Sequence, residues 1–227
     1  MPTFAIVSEG KTDQVVLEAI IQEFYGSQFE DDIDINFLQP IRDATDAKTA
    51  SHGGWKLVFE YCQHRMLDAV ATNDFVVIHV DTDCGDDEGF GLALTEEGRD
   101  RPVSDILREA VEILQSKIDD AVVRANADRI LYAVAVHSTE CWLLLILYDI
   151  EREKNCENRL VRELRRSTGK GLNKEVKPYR NLSRSIKRRR LLELVDIRHS
   201  LGDFLLQLRS LQVSDAEDAA PSTEVEG

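Results

Sequence analysis

Short apolar runs alternate with amphipathic stretches along the first 150 residues. Thr3 to Ser8 (TFAIVS) is a β-branched apolar run ending at Glu9-Gly10, and Val15, Val16, Ala19, Ile20 and Phe24 then recur at helical spacing. Ile33 to Leu38 alternates as a strand and is stopped by Pro40; residues 41–54 read as a polar loop. Trp55 to Leu67 fits a helix with Trp55, Val58, Phe59 and Cys62 on one face. Phe75 to Val80 (FVVIHV) is apolar on both faces apart from His79, the pattern of a central parallel strand. Cys84 to Arg101 reads as a long Gly-rich polar loop, and Val103 to Val123 as one amphipathic helix through Ile106, Ala110, Ile113, Leu114 and Ile118. Ile130 to Val136 is a further buried strand, followed by a very apolar helix from Trp142 to about Ile150.

Strand–helix alternation of this kind predicts an α/β fold, a mainly parallel four-stranded sheet flanked by helices. No strong strand follows Glu151. Asn155 to Arg166 fits a basic helix and Gly169 to Pro178 a Gly/Lys loop. Leu182 to Leu211 fits one or two helices broken near Gly202. The chain thus divides into residues 1–150, a helical extension over 151–212, and an acidic tail over 213–227 whose composition predicts disorder.

Charge sharpens this division. The net charge is −14, yet residues 1–150 carry −18 and residues 151–199 carry +9. An acidic body with a basic segment points to a polyanionic partner, or to a solvated helical face that offsets the body's charge. No apolar run approaches the ~18–20 residues needed to cross a bilayer, so no membrane partner is expected. The start of the chain lacks a basic, then apolar, leader pattern, and no secretion signal is read. Cys62, Cys84, Cys141 and Cys156 form no CxxC pair; widely spaced single thiols fit a reducing compartment, hence the cytoplasm.

The chemistry-bearing residues stand at strand ends. Glu9 follows the first strand, Asp81 and Asp83 follow the third, and Glu140 lies just past the fourth. An open parallel sheet binds ligands at the carboxyl ends of its strands. Carboxylates gathered there repel unless a hard cation with oxygen ligands joins them, and Mg²⁺ or Mn²⁺ suits this set better than zinc. Glu140 has a second reading, capping its helix alongside Ser138 or Thr139. A DxD after an apolar strand also occurs in metal-dependent phosphoryl and sugar-nucleotide transferases.

Glu9-Gly10-Lys11-Thr12-Asp13, followed by Val80-Asp81-Thr82-Asp83, resembles the TOPRIM domain of topoisomerases, bacterial primases and small nucleases. His137-Ser138-Thr139-Glu140-Cys141-Trp142-Leu143-Leu144 is similar to the Glu-x-Trp-Leu element of small standalone bacterial TOPRIM-like proteins related to the overcoming-lysogenization-defect nucleases. The resemblance spans residues 3–148. It implies that Glu9 is a metal ligand or general acid/base, that Asp81 and Asp83 coordinate Mg²⁺, and that Glu140 adds a ligand. The implied activity is metal-dependent phosphodiester hydrolysis, in a bacterial defence or mobile-element setting. No segment fits a strand-passage domain with a nucleophilic tyrosine, so hydrolysis is favoured over topoisomerase chemistry.

Lys174, Lys177, Arg180, Arg184, Lys187, Arg188, Arg189 and Arg190 form the basic segment that would neutralise nucleic-acid phosphates. Tyr179 is placed to stack on a base. The same run has an alternative partner in the acidic tail from Asp215 to Glu226. His79 reads as a core histidine, Trp142 as a packing anchor, Cys84 as incidental, and Asp86-Asp87-Glu88 as solvated. His137 is nearer the site, and Gly53-Gly54-Trp55 opens a helix whose N–H groups would face a phosphate. A non-catalytic alternative is a metal-binding subunit acting with a separate ATPase, because Gly169-Lys170-Gly171 is no Walker A motif. Self-association is a further partner reading.

Overall fold

The computed structural model describes residues 2–26, 33–41 and 54–211. Four strands, β1 (Thr3–Val7), β2 (Asp34–Gln39), β3 (Phe75–Asp81) and β6 (Ile130–Ala135), form one all-parallel sheet in the order β2-β1-β3-β6. A two-residue pair, β4 (Thr95–Glu96) and β5 (Arg99–Asp100), forms a small antiparallel hairpin. The expected fold class therefore holds as an α/β protein with a parallel sheet between helices.

The chain enters at β1, steps to β2 on one side through α1 (Lys11–Tyr25), then crosses back to β3 on the other side through α2 (Trp55–Thr72). Right-handed crossovers in opposite directions put these two helices on opposite faces of the sheet. Side chains alternate accordingly: Phe4, Ile6, Phe75 and Val77 pack with α1, whereas Ala5, Val7, Val76, Ile78 and Val80 pack with α2. The reversal leaves a switch point between β1 and β3, where an open α/β sheet has its crevice.

The helical segment after Glu151 shares the core of the first 150 residues. Helices α6 (Cys156–Thr168), α7 (Val176–Ser183), α8 (Arg188–Leu194) and α9 (Ser200–Ser210) bury Leu160, Tyr179, Leu191 and Phe204 in the same cluster as α1 and α5 (Thr139–Tyr148). Trp142 anchors this face, with its indole N–H donating to Ser200 Oγ at 2.8 Å and its ring stacked on Phe204. At the amino-terminal edge of the sheet, the Arg129 guanidinium donates to the carbonyls of Val70, Asn73 and Asp74, satisfying the end of α2.

Several local expectations change. The helix expected over 103–123 is two: α3 (Val103–Ser116) closes with i→i−3 bonds at Lys117 and Ile118, and Asp119 caps α4 (Asp120–Ala125) through the N–H groups of Ala121 and Val122. The loop over 84–101 is not purely polar, because Phe90, Leu92 and Leu94 are buried and Phe90 packs on Trp55 and Phe59. Helix α7 begins inside the segment expected to be a Gly/Lys loop. Gly202 does not break the last helix. It lies inside α9, where the Ile197 carbonyl oxygen occupies the space an added Cβ would need. The polar loop expected over 41–54 and the acidic tail lie almost wholly outside the described residues.

Candidate functional site

Glu9, Asp81 and Glu140 follow three parallel strands, and the structure turns all three toward the switch point. Backbone geometry ties the first two together, since the Asp81 N–H donates to Glu9 Oε1 at 2.8 Å. The start of α2 faces the same carboxylate: Gly54 N–H donates to the Glu9 carbonyl at 3.0 Å, and the Trp55 N–H bonds its side chain. A carboxylate at a helix N-terminus is favoured by the unpaired N–H groups and the dipole. The Gly54-Trp55 turn thus serves a side chain of this protein.

Asp81 is held from the far side by the first turn of α5. Its Oδ1 accepts from both the N–H and the hydroxyl of Thr139, each at 3.0 Å. The Thr139 hydroxyl also lies 3.0 Å from His79 Nε2. Burial lowers the His79 pKa to about 3, so the ring is neutral, and Nδ1 has no partner. The tautomer with the proton on Nε2 completes a chain from His79 through Thr139 to Asp81 and leaves only a bare lone pair unpaired. His79 is therefore a core histidine, as its strand position implies, and it supports the Asp81 carboxylate through Thr139.

Asp13 joins the site from α1. It is 9% exposed, accepts from the Gly10 N–H and lies beside the Thr139 hydroxyl, whose one proton goes to Asp81. Asp83 lies at the exposed rim, two residues beyond Asp81. The DxD segment stays registered to the chain after β6 through Thr82 N–H to Ala135 O, Asp83 N–H to His137 O, and His137 N–H to Thr82 Oγ1. Glu140 is 6% exposed and accepts a hydrogen bond from the Tyr179 phenol of α7. Tyr179 is itself buried and cannot stack on a base, which corrects that expectation.

The electrostatics follow from this crowding. Burial, reinforced by Asp13 and Asp83, pushes Glu9 up to about 8 against the N–H groups of Asp81 and Trp55. Burial and then Glu140 push Asp13 up to about 7. Asp81 is raised well above the usual carboxylate range by burial, then by Asp13, Glu9, Glu140 and Asp83. Such shifts in a cleft mark a group of acids that cannot all ionise without a counter-charge. Lys174 supplies part of it. Burial draws its ammonium down, but Glu140, Glu157 and Asp81 outweigh that and leave it raised, with Nζ 3.2 Å from Glu157 Oε2.

The donor set is all oxygen and hard, which fits Mg²⁺ or Mn²⁺. Among the described residues no group of three or more His, Cys, Asp or Glu side chains stands close enough to form a ready-made metal cage. A separate cavity of about 600 Å³, lined in part by Val103, Ser104, Ile197, Arg198, His199 and Asp203, contains none of the acidic residues of the site.

The basic segment divides into two groups. Lys177, Arg180 and Arg184 share an exposed face of α7, and Lys187 donates to Arg184 O. Arg188 donates to Phe24 O at the end of α1, and Arg190 to Leu145 O and Asp149 at the end of α5, so these two pin helix termini. Arg189 pairs with Glu193 on its own helix. Cys84 has a thiol pushed up to about 12 by burial and nearby acids, the state of an unreactive thiol. Asp86, Asp87 and Glu88 are exposed. Cys141 and Cys156, read from sequence as separate thiols, are joined as a disulfide between α5 and α6, while Cys62 and Cys84 are free.

Comparison with protein-family models, curated proteins and solved structures finds no match to this chain. No helix among the described residues is long and apolar enough to cross a membrane.

Proposed function

We propose that this chain is a TOPRIM-like, Mg²⁺- or Mn²⁺-dependent nuclease that hydrolyses phosphodiester bonds of nucleic acid. The observation that carries the reading is the convergence of Glu9, Asp13, Asp81 and Glu140 on the switch point of a parallel sheet, with Asp83 at its rim. Glu9, Asp13, Asp81, Asp83 and Glu140 would hold the cation. A bound divalent cation supplies Lewis-acid polarisation of the phosphodiester and cancels charge on the acids. In the metal-free chain burial holds Glu9 at about 8, so a cation bound there would displace its proton. Lys174 places a positive charge at the border of the acidic cluster, where a phosphate would otherwise be repelled. Lys177, Arg180 and Arg184 extend that positive edge along α7 for the nucleic-acid backbone.

The test is cleavage of supercoiled plasmid and of structured RNA in Mg²⁺, Mn²⁺ or EDTA, for the wild type and for Asp81→Ala/Asp83→Ala. Loss of an outer-shell partner alone costs about 10–100-fold at metal sites. Removing two ligands is therefore expected to abolish cutting while the circular dichroism spectrum stays that of the wild type. Equal cutting by the folded variant would refute the assignment. The second reading is a non-catalytic metal-binding subunit that acts with a separate ATPase. On that reading the isolated chain binds Mn²⁺ but cuts neither polymer.

A further inference from the structure

Three carboxylates of the site share one feature. Glu9 Oε1 accepts the Asp81 N–H, Asp81 Oδ1 accepts two donors of Thr139, and Glu140 Oε1 accepts the Tyr179 phenol. Asp81 and Glu140 each therefore have one oxygen engaged by these donors, while Glu9 also receives the Trp55 N–H. The donors are rigid: a backbone N–H of β3, the first turn of α5, and a phenol on a ring only 1% exposed. Ca²⁺ takes six to eight oxygens at longer distances and commonly uses carboxylates through both oxygens, whereas Mg²⁺ demands a compact octahedron of single-oxygen contacts.

Resting on the metal reading above, we propose that Tyr179 is a specificity-determining positioning residue: its phenol holds Glu140 to one-oxygen ligation and so biases the site toward Mg²⁺ and Mn²⁺ over Ca²⁺. Tyr179 comes from the extension after residue 150, whose α7 packs against α1, so cation choice at the sheet edge depends on the docking of that extension. Thr139 makes the same commitment at Asp81. Tyr179 touches no substrate on this assignment and acts only through Glu140.

The experiment is calorimetric titration of the full chain with Mn²⁺ and, separately, with Ca²⁺, for the wild type, Tyr179→Phe and Glu140→Gln. The wild type is expected to bind Mn²⁺ and to discriminate against Ca²⁺. Tyr179→Phe frees the second Glu140 oxygen and is expected to raise Ca²⁺ affinity relative to Mn²⁺ by about tenfold, the lower end of what outer-shell changes cost at metal sites. Glu140→Gln, which removes the ligand, is expected to weaken both cations without that change of ratio. A Tyr179→Phe protein whose two affinities fall together, or do not change, would overturn the assignment and leave Tyr179 a packing residue. A wild type that binds neither cation removes the metal reading itself, and the role of Tyr179 with it. If Tyr179→Phe does not fold, Thr139→Val makes the equivalent test at Asp81, with the same ratio as readout.

Discussion

At the scale of single residues, the acidic cluster was legible where a carboxylate directly follows an apolar strand and was missed at Asp13, which lies on α1. Glu9, Asp81 and Glu140 follow apolar runs, so their position alone aims them at one edge. Asp13 did carry a signal: it falls on the stripe of Val16, Leu17 and Ile20, and a carboxylate on a core-facing stripe needs a reason. An acid in the first turn of a helix is also favoured by the dipole, so its place there does not by itself mark a site. Tyr179 lies likewise on a stripe with Leu182, Ser183 and Ile186, but it falls between an expected Gly/Lys loop and an expected helix, and the Lys and Arg residues around it suggested a base-stacking ring. Gly202 misleads in the opposite way, since a glycine that suggests a helix end instead permits close approach within a helix. Gly202→Ala drives a methyl into the Ile197 carbonyl, which is backbone and cannot swing away. The expected loss is about 1–3 kcal/mol, the usual cost of overpacking. It would be read as a lower urea midpoint with unchanged slope, and an unshifted midpoint would show that the 195–199 turn yields freely.

At the scale of elements, the four strands of the parallel sheet were legible within a residue or two, β1, β3 and β6 as short buried apolar runs and β2 by its alternation, whereas the exposed two-residue β4 and β5 carried no apolar signal. Boundaries failed where a local hydrogen bond decided them, as at Asp119, whose cap splits the long amphipathic stretch into α3 and α4. The 84–101 segment looked polar by composition, although Phe90, Leu92 and Leu94 alternate at period two, the mark of one buried edge. The disulfide had no motif, because Cys141 and Cys156 meet only through the return of α6 onto α5. It closes a loop across 15 residues. Chain-entropy arguments give about 3 kcal/mol for a crosslink of that span. Reduction, or Cys141→Ser with Cys156→Ser, is expected to lower stability by up to that amount. Alkylation of the unfolded, unreduced chain followed by mass spectrometry should label Cys62 and Cys84 alone. Four labelled thiols would place the chain in the reduced state and remove the staple.

For the whole molecule, charge distribution was readable and its consequence for stability was not, because proton affinities depend on burial that no composition reveals. Glu9 and Asp13 have folded-state values of about 8 and about 7 against ordinary values of 4.5 and 3.8, and Asp81 is raised as well. A carboxyl raised on folding binds its proton more tightly in the folded state than in the unfolded chain. Its contribution to stability is complete below about pH 4 and is lost as pH rises through about 7 to 8. In EDTA the melting temperature is therefore expected to fall from pH 5 to pH 8. A tenfold change in proton affinity is worth about 1.4 kcal/mol, and coupled acids do not add, so a loss on the order of a few kcal/mol is expected. Saturating Mg²⁺ or Mn²⁺ has the opposite pH dependence, because the cation takes the ionised carboxylates and displaces their protons. It should flatten the slope, with the largest stabilisation near pH 8. Asp13→Asn removes one of the raised acids without changing its shape, and should flatten the EDTA slope by itself. Melting curves in EDTA that are level or rise from pH 5 to 8, for wild type and Asp13→Asn alike, would mean that the acids ionise independently. The crowding that makes a counter-cation necessary would then be absent.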